Sequence, residues 1–442
     1  MKKQLFAVML LLSAFFACRK SDIDTVQAIS LSVQVGYSPE DSALGLSKEN
    51  VLVKITNLIS GQENTASTNG SGIAVFASIA PGNYTVSASR NYTEEEFRSL
   101  TNVFVTSNVP YNATETQALN MNTNIRLQLQ GGKIGDLVFK QIYYAGSDTK
   151  TGALYRDQFV EIYNNSNETI YLDSLFLGST ICNNKAVSTG AVPFDWSKVS
   201  GMSAIGDPNK DNLYFRYLFM IPGTGKEHPL EPGKSIVVAQ TAMNHANPYD
   251  GNDGEIIGIT NPALTIDLSH ADFEVNLVED LREAYTGTGT FQPWKYDVDN
   301  PLVDNVKAFI YSGKDWVMDN NSRDDFIMFK AAGVDMSNLP KFLAPSGGGD
   351  YGLQVPLTVS IIDAVELVTP LETDRTPKRL PVGLDASGNF VAGARYSSQS
   401  LIRKTVKTVE GRRILQDTNS SANDFETKTK ADPSKSDASF EK

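Results

Sequence analysis

Apolar and polar residues alternate along much of the N-terminal third of the chain. The segments Leu31–Val35 and Val51–Ile55 both place an apolar residue at every second position. Successive side chains of a strand point to opposite faces, so this alternation predicts half-buried strands. Turn signals such as Asn69-Gly70 separate the segments. Short strands at roughly ten-residue spacing predict an all-β fold of the sandwich type.

The pattern at the N-terminus is different. Two lysines precede an apolar run from Leu5 to Ala17, and Cys18 follows directly. The run is shorter than the roughly 20 residues of a membrane-spanning helix, and its order is that of a secretory signal. It resembles a bacterial lipoprotein signal peptide over residues 1–17, with Cys18 as the lipidated residue and residues 18–28 as a tether. A plain secretory signal that is cleaved elsewhere and a buried core cysteine are the alternatives.

Residues 29–130 form the first predicted unit. Part of it resembles the prealbumin-like carboxypeptidase-regulatory and collagen-adhesin repeat domains, in which strands, Gly turns and a Pro-Gly-x-Tyr sequence recur in a fixed order. The matching positions are Gly61, Thr68, Gly72, Phe76, Pro81, Gly82 and Tyr84. The resemblance implies a prealbumin-like β-sandwich that acts as a spacer domain.

Residues 135–425 form the second predicted unit. The segments Phe159–Gly178, Ile221–Gln240 and Ser400–Arg403 resemble the lamin-tail domain, an immunoglobulin-like β-sandwich. Between them we predict long insertions, at about 181–214 and 244–355, and long loops on a β scaffold favour binding. Residues 426–442 are polar and nearly free of large apolar side chains, which predicts a disordered tail.

The whole chain resembles an uncharacterised lipoprotein family of the Bacteroidetes, the domain-of-unknown-function family 4876. The shared closing pattern comprises Arg412, Arg413, Asp417, Thr418, Asn419, Ser421, Asp424 and Phe425. The resemblance implies no particular activity. Lipoproteins of that phylum often accompany TonB-dependent outer-membrane importers, so such an importer is the partner that the resemblance implies.

Charge and cysteine content narrow the range of functions. The formal net charge is -12 at pH 7 over 442 residues. This charge would repel long DNA or RNA, so we expect no nucleic-acid partner. Cys18 and Cys182 are the two cysteines of the chain, too few for a disulfide scaffold.

The sequence contains no recognisable catalytic motif. It has neither Gly-x-Ser-x-Gly nor His-Glu-x-x-His, and its three histidines are His228, His245 and His270. Acidic residues follow His245, which makes it the histidine to consider as a ligand. We therefore predict a protein that is not an enzyme, although a hydrolase that needs only two suitably spaced carboxylates remains an alternative.

Two weaker patterns suggest binding residues. Asp207, Asn209 and Asp211 place oxygen atoms at alternate positions, as a calcium loop does, although a solvated Asx turn has the same pattern. No other cofactor is expected. Trp294, Tyr296 and Trp316 lie in Gly- and Asp-bearing segments and are candidate partner contacts, with ordinary core packing as the alternative.

Together these patterns predict a non-enzymatic outer-membrane lipoprotein. It would be an accessory ligand- or protein-binding component, anchored to membrane lipid through Cys18, on either the cell-surface or the periplasmic face. The insertions between residues 181 and 355 would form its contact surface. A structural or adhesive surface protein and a carboxylate-based hydrolase are the alternatives.

Overall fold

The computed structural model describes residues 27–37, 39–42, 44–101, 109–131, 136–203, 206–409 and 411–441. Cys18, the predicted signal peptide and most of the predicted tether lie outside the described residues. Strands dominate the described part of the chain, and its α-helices have eight residues or fewer. The predicted all-β sandwich fold is confirmed. None of the described helices is long and apolar enough to cross a membrane.

The first unit contains seven strands and two short helices. The strands are β1 (Ile29–Tyr37), β2 (Leu52–Asn57), β3 (Glu63–Ser67), β4 (Ile73–Ile79), β5 (Gly82–Tyr92), β6 (Val109–Leu119) and β7 (Thr123–Gly131). The helices are α1 (Pro39–Ser42) and α2 (Glu94–Thr101). The alternation predicted for Leu31–Val35 is present, because residues 31, 33 and 35 are buried in the core.

The seven strands follow the order β3-β2-β5-β6-β7-β1-β4. Strands β6 and β7 share only two paired positions, at Tyr111 and Asn112, so the path bends there. The two halves, β3-β2-β5-β6 and β7-β1-β4, enclose a single hydrophobic cluster. This arrangement is a β-sandwich that shares one corner between its sheets.

The second unit is a larger sandwich. Its first strands are β8 (Leu137–Tyr143), β9 (Phe159–Asn164), β10 (Ile170–Tyr171), β11 (Phe176–Thr180), β12 (Asn212–Met220), β13 (Pro229–Leu230), β14 (Ser235–Ala239), β15 (Tyr249–Asp250), β16 (Ile256–Ile257) and β17 (Phe273–Glu274). They are followed by β18 (Asp304–Asn305), β19 (Lys307–Ile310), β20 (Asp325–Lys330), β21 (Lys341–Leu343), β22 (Tyr351–Pro356), β23 (Ser360–Glu366), β24 (Ser400–Arg403), β25 (Thr405–Val409), β26 (Arg412–Leu415) and β27 (Phe425–Lys428). The helices of this unit are α3 (Val278–Glu283) and α4 (Ser421–Asp424).

Two sheets face each other across the main core. One has the order β21-β22-β12-β11-β20-β23, with β19 also paired to β12, and the other has the order β18-β17-β14-β9-β8-β24-β27. Phe139 and Val160 of the second sheet share one buried cluster with Phe219 and Phe326 of the first. Side chains from both inner faces therefore interdigitate, as in other sandwiches.

One predicted insertion is in part a piece of the scaffold. Residues 244–355 include β20, which pairs with both β11 and β23 inside the first sheet. Five of its six residues are buried. A strand covered on both faces lacks the polar–apolar alternation of a half-exposed strand, which is why its sequence did not reveal it.

The predicted disordered tail is wrong for the described residues 426–441. Strand β27 pairs with β24, and a 3-10 turn at Asp437–Phe440 follows. Ser439 is fully buried and accepts a hydrogen bond of 2.6 Å from Lys140 Nζ. A few specific contacts thus fix a segment whose overall composition is that of a flexible chain.

The two units are in contact. Asn112 Nδ2 of β6 donates a hydrogen bond of 2.5 Å to the Thr418 carbonyl, and Thr114 Oγ1 donates to the Ala386 carbonyl at 3.2 Å. The parts of the second unit that carry Ala386 and Thr418 therefore lie against the first unit.

Candidate functional site

The segment between β11 and β12 forms one wall of a cleft of about 460 Å³. We call it the insertion cleft. It is lined by Thr180–Lys185 and Val192–Asp195 on one side, and by Arg216, Arg323, Asp324, Pro345, Ser346 and Asp350 on the other. It therefore lies on the insertion at 181–214 that the sequence predicted as a contact surface.

An aromatic cluster holds the inserted wall in place. The Trp196 ring stacks on Tyr214 of β12, with centroids 3.7 Å apart and planes 7° apart. Ile181 and Phe342 join them in a small buried cluster that is separate from the main core. Gly352 of β22 lies against the same rings, where a Cβ atom would come within 2.9 Å of Trp196. Packing of this kind makes the wall part of the rigid sheet.

The predicted calcium residues form a turn beside this wall. Asp207 Oδ1 accepts a hydrogen bond from the Asn209 amide at 2.8 Å, and Asp211 Oδ2 accepts one from the Asp207 amide at 2.7 Å. Asn209 Oδ1 accepts from the Trp196 amide at 2.8 Å. All three side chains thus stabilise backbone, which is the Asx-turn alternative. Calcium binding at Asp207, Asn209 and Asp211 stays a prediction without support from this geometry.

Two buried carboxyl groups and the half-buried Cys182 thiol lie in or behind the cleft lining. Asp325 is fully buried and accepts a hydrogen bond of 2.7 Å from the Thr180 amide, and burial raises the pKa of its carboxyl to about 7. Its neighbour Asp324 lines the cleft, and burial raises the pKa of that carboxyl to about 6. Burial also raises the pKa of the Cys182 thiol to about 12, so this thiol is protonated and a poor nucleophile at neutral pH.

Two arginines beside the cleft have unused hydrogen-bonding capacity. Arg216 projects from β12 into the lining, and its Nε group has no hydrogen-bond partner. Arg379 donates from Nη2 to Asn184 Oδ1 at 3.1 Å, but its Nη1 group has no partner. Arg323 differs, because it pairs with Asp319 at 2.8 Å. Arg216 therefore adds a positive charge to a lining that also contains Asp195, Asp324 and Asp350.

Two further spaces share lining residues with the insertion cleft or with each other. A small cavity of about 90 Å³ shares Cys182, Pro193 and Phe194 with it. That cavity in turn shares Lys378 and Arg379 with a groove of about 590 Å³ between the two units.

Residues 231–432 match the model of the DUF4876 family, described as a protein of unknown function. This part of the chain belongs to the DUF4876 family. The family resemblance predicted from the closing pattern is thereby confirmed. Arg323, Asp324 and Arg379 lie within the DUF4876 region, whereas Arg216 and the first insertion precede it.

Solved structures that match the chain include three bacterial proteins. The crystal structure of a DUF4876 family protein from Bacteroides thetaiotaomicron VPI-5482 is 23% identical, with a TM-score of 0.49, and the alignment covers 90% of this chain and 94% of that one. A DUF3823 family protein from Parabacteroides merdae ATCC 43184 is 12% identical over 35% of this chain and 67% of its own, with a TM-score of 0.16. A putative adhesin from Bacteroides ovatus ATCC 8483 is 8% identical over 84% of this chain and 96% of its own, with a TM-score of 0.18. No curated protein matches the chain.

The predicted aromatic contacts have different environments. Trp316 is 2% exposed and packs on Phe219 at 5.5 Å, so its assignment as a partner contact is wrong and the core-packing alternative holds. Trp294 and Tyr296 are half-buried and contact each other edge-on at 5.4 Å. Arg156 covers the Tyr296 ring at 4.7 Å. A role for Trp294 and Tyr296 in partner binding stays a prediction.

Two of the three histidines, His228 and His245, make contacts within the fold. His245 is fully buried and bonded to the Thr241 carbonyl at 3.0 Å, and burial lowers the pKa of its ring to about 4. His228 lies with Glu227 and Asp173 in a group whose ligand atoms are within 4.8 Å of one another. The Asp173 carboxylate, however, accepts backbone N–H groups of Gly225, Glu227 and His228, so we assign it to anchoring this loop.

Sequence reasoning missed Arg216 and Arg379. They are far apart in the chain, but both lie close enough to Asp324 to lower the pKa of its carboxyl. The available signal was the single charged residue in the otherwise apolar stretch Leu213–Met220 of β12. A charge within such a strand must face solvent, a partner or a ligand.

Proposed function

We propose that this protein is a non-enzymatic binding component of the outer membrane, with the insertion cleft as its contact surface. The observation that carries the proposal is a preformed cleft of about 460 Å³, built by an inserted segment on a rigid sandwich. Its size falls within the roughly 300–1,000 Å³ typical of small-molecule sites. The described lining presents donors and a protonated thiol, which suits binding better than covalent chemistry.

Exposed apolar side chains near the cleft support a binding role. Val192 in its lining is 67% exposed. Leu343 and Tyr351 are paired across β21 and β22 beside the lining residues 345–350, and both are exposed. Apolar and aromatic groups around a polar cleft commonly form the contact with a ligand or a partner protein.

Photo-crosslinking from the cleft tests this proposal. A photoreactive residue at position 192 should capture a ligand or a partner protein from native outer membranes, since Val192 lies in the cleft lining. The matched control is position 75 on β4, where Val75 is similarly exposed at 58% but lies in the first unit. Equal capture from both positions, or none from position 192, would contradict the proposal. Capture of a barrel importer would identify the TonB-dependent partner, and capture of host matrix would favour the adhesive alternative.

Attachment to the membrane is the second part of the proposal. Three acyl chains on a processed cysteine give stable anchoring, at about 0.8 kcal/mol per buried methylene. We therefore expect Cys18→Ala to release the protein from the membrane fraction or to leave it unprocessed. Cell fractionation with metabolic lipid labelling measures this, and Cys182→Ala is the matched control. Unchanged labelling and membrane retention in Cys18→Ala would show that the lipid assignment is wrong.

A further inference from the structure

We propose that Asp173, Glu227 and His228 form a binding site for a divalent transition-metal ion such as zinc. Glu227 and His228 lie on the loop between β12 and β13, and Asp173 lies between β10 and β11. One ligand atom of each side chain lies within 4.8 Å of the other two. None of these residues lines the insertion cleft, so the inference does not depend on the proposed function.

The first step of the argument is the spacing of the three ligand atoms. Zinc binds oxygen and nitrogen atoms at about 2.0–2.2 Å, which places the ligands of a tetrahedral site roughly 3.5 Å apart. Asp173 is buried, whereas Glu227 is exposed and His228 is half-buried. An ion therefore reaches the group from the solvent side, and small rotations of the two outer side chains bring the ligands to the required spacing.

The second step is the fixed position of the Asp173 carboxylate. Its Oδ1 atom accepts hydrogen bonds from the amides of Gly225 and Glu227, and its Oδ2 atom accepts one from the His228 amide. The loop approaches so closely because residue 223 is glycine, where a Cβ atom would collide with Asp173 Oδ1. Asp173 thus holds in place the loop that carries the other two ligands.

The third step is the bonding capacity that remains. A carboxylate offers about four lone-pair positions, so the three loop amides leave one of them on Asp173. Glu227 Oε1 accepts a hydrogen bond of 2.6 Å from Thr224 Oγ1, whereas Glu227 Oε2 has no partner among the described residues. Within the same part of the chain, neither ring nitrogen of His228 has a hydrogen-bond partner. The group therefore retains a ligand atom on each of its three side chains.

The fourth step concerns the charges around the site. Lys330 Nζ donates to the backbone carbonyls of Tyr171 and Asp173, and Lys226 Nζ lies 6.0 Å from the Tyr171 ring. Neither ammonium forms an ion pair with Asp173 or Glu227 among the residues that the structure describes. Buried charges in proteins are usually paired or coordinate metals. A bound cation would neutralise the Asp173 carboxylate, which its three hydrogen bonds stabilise without neutralising.

The chemistry of the ligand set indicates the class of metal. Burial acts to raise the pKa of the Asp173 carboxyl, but the hydrogen bonds from the loop amides outweigh it and hold that pKa well below its usual range. Asp173 is therefore ionised at neutral pH, the form that binds metal. One imidazole nitrogen and two carboxylate oxygens suit zinc and its transition-metal neighbours, whereas calcium and magnesium prefer oxygen ligands.

Isothermal titration calorimetry of the metal-free full chain with Zn²⁺, without a histidine tag, tests the inference. We expect one ion to bind per chain, and Ca²⁺ and Mg²⁺ to bind more weakly than Zn²⁺. His228→Ala and Glu227→Gln should each weaken zinc binding about ten-fold or more, because losing a direct ligand costs at least as much as losing a residue that supports one. The control is His270→Ala, since His270 is an exposed histidine outside the group.

Urea unfolding provides a second measurement and checks that each metal-free variant remains folded. Zinc should raise the urea midpoint of the unaltered protein more than that of His228→Ala, because an ion that binds only the folded chain stabilises it. Three calorimetric results would overturn the inference: no zinc binding, tighter binding of Ca²⁺ than of Zn²⁺, or equal zinc affinity in His270→Ala and the two folded site variants. An equal midpoint shift in the unaltered protein and His228→Ala would also overturn it.

Discussion

At the scale of single residues, the most constrained side chain is Arg403 at the end of β24. It is 1% exposed and pairs with Asp363 at 2.5 Å and Asp417 at 3.2 Å. Its Nε group also donates to the Phe139 carbonyl at 2.8 Å. Asp424 lies 3.6 Å from the same guanidinium. Arg403 thus joins the closing segment of the chain to the two facing sheets.

We predict that Arg403→Lys lowers the free energy of unfolding by about 3–5 kcal/mol. The ammonium group cannot reproduce the separate bonds to two carboxylates and a carbonyl, and breaking a buried ion pair costs about this much. Urea unfolding at pH 7 measures the change. Arg395→Lys, at an exposed arginine, is the control and should have little effect. A change below about 1 kcal/mol for Arg403→Lys would contradict a central structural role.

The closing pattern found in the sequence has the same structural explanation. Asp424 accepts hydrogen bonds from the Thr418 amide at 2.8 Å and from Thr418 Oγ1 at 2.7 Å, while Asp417 binds Arg403. The sequence identified these residues as a family pattern without indicating what they do. Arg403 itself lay in a segment recognised only by its resemblance to a lamin-tail strand. Its partners are distant in the chain, so their convergence required the fold.

At the scale of secondary-structure elements, the last segment of the chain is a structural component of the second unit. The buried Lys140 of β8 pairs with Glu161 of β9 at 2.8 Å and also donates to Ser439. The Phe440 ring lies 3.6 Å from the Lys140 ammonium and packs edge-on against Tyr163 at 5.7 Å. The 3-10 turn at Asp437–Phe440 therefore covers a buried charge.

We predict that truncation after Ser436 destabilises the protein by about 2–4 kcal/mol. The truncation removes a hydrogen bond to a charged group, worth about 1.5–3 kcal/mol, and the ring that covers the ammonium. Thermal unfolding measures the effect. The same truncation in a Lys140→Met background should cost less, because no buried ammonium group is then left uncovered. Identical losses in the two backgrounds would contradict this account.

The hydrophobic pattern predicted strands that expose one face to solvent. It did not predict a strand that is buried on both faces. It found β1 and β2 from their alternation. It missed β20, which is buried on both faces, and it assigned the final segment to disorder because only a few of its residues are apolar. Composition averages over a segment, whereas order in this tail depends on Lys428, Ala431, Ser439 and Phe440 individually.

At the scale of the whole molecule, the second unit buries several carboxyl groups. Burial raises the pKa of the carboxyls of Asp157, Asp315 and Glu274 to about 7 and that of Asp297 to about 8. Asp325, which accepts a hydrogen bond from the Thr180 amide, belongs to the same class, because burial raises its pKa to about 7. Each of these groups favours the protonated form when folded, whereas an unfolded carboxyl ionises near pH 4.

These pKa shifts predict that the free energy of unfolding falls as the pH rises from 5 to 8. In this window the folded protein binds more protons than the unfolded chain, so each raised carboxyl lowers stability by up to about 1.4 kcal/mol per pH unit until it ionises. The buried His245 has the opposite effect, because its lowered pKa reduces the free energy of unfolding as the pH falls below about 6.5. It is a single group, whereas the five carboxyls described above all have a raised pKa. Urea unfolding at pH 5.0, 6.5 and 8.0 measures the slope. Asp315→Asn should reduce the change in the free energy of unfolding with pH, since an amide cannot ionise. A stability maximum near pH 8 in the unaltered protein would contradict the assignment of these carboxyls as protonated in the fold.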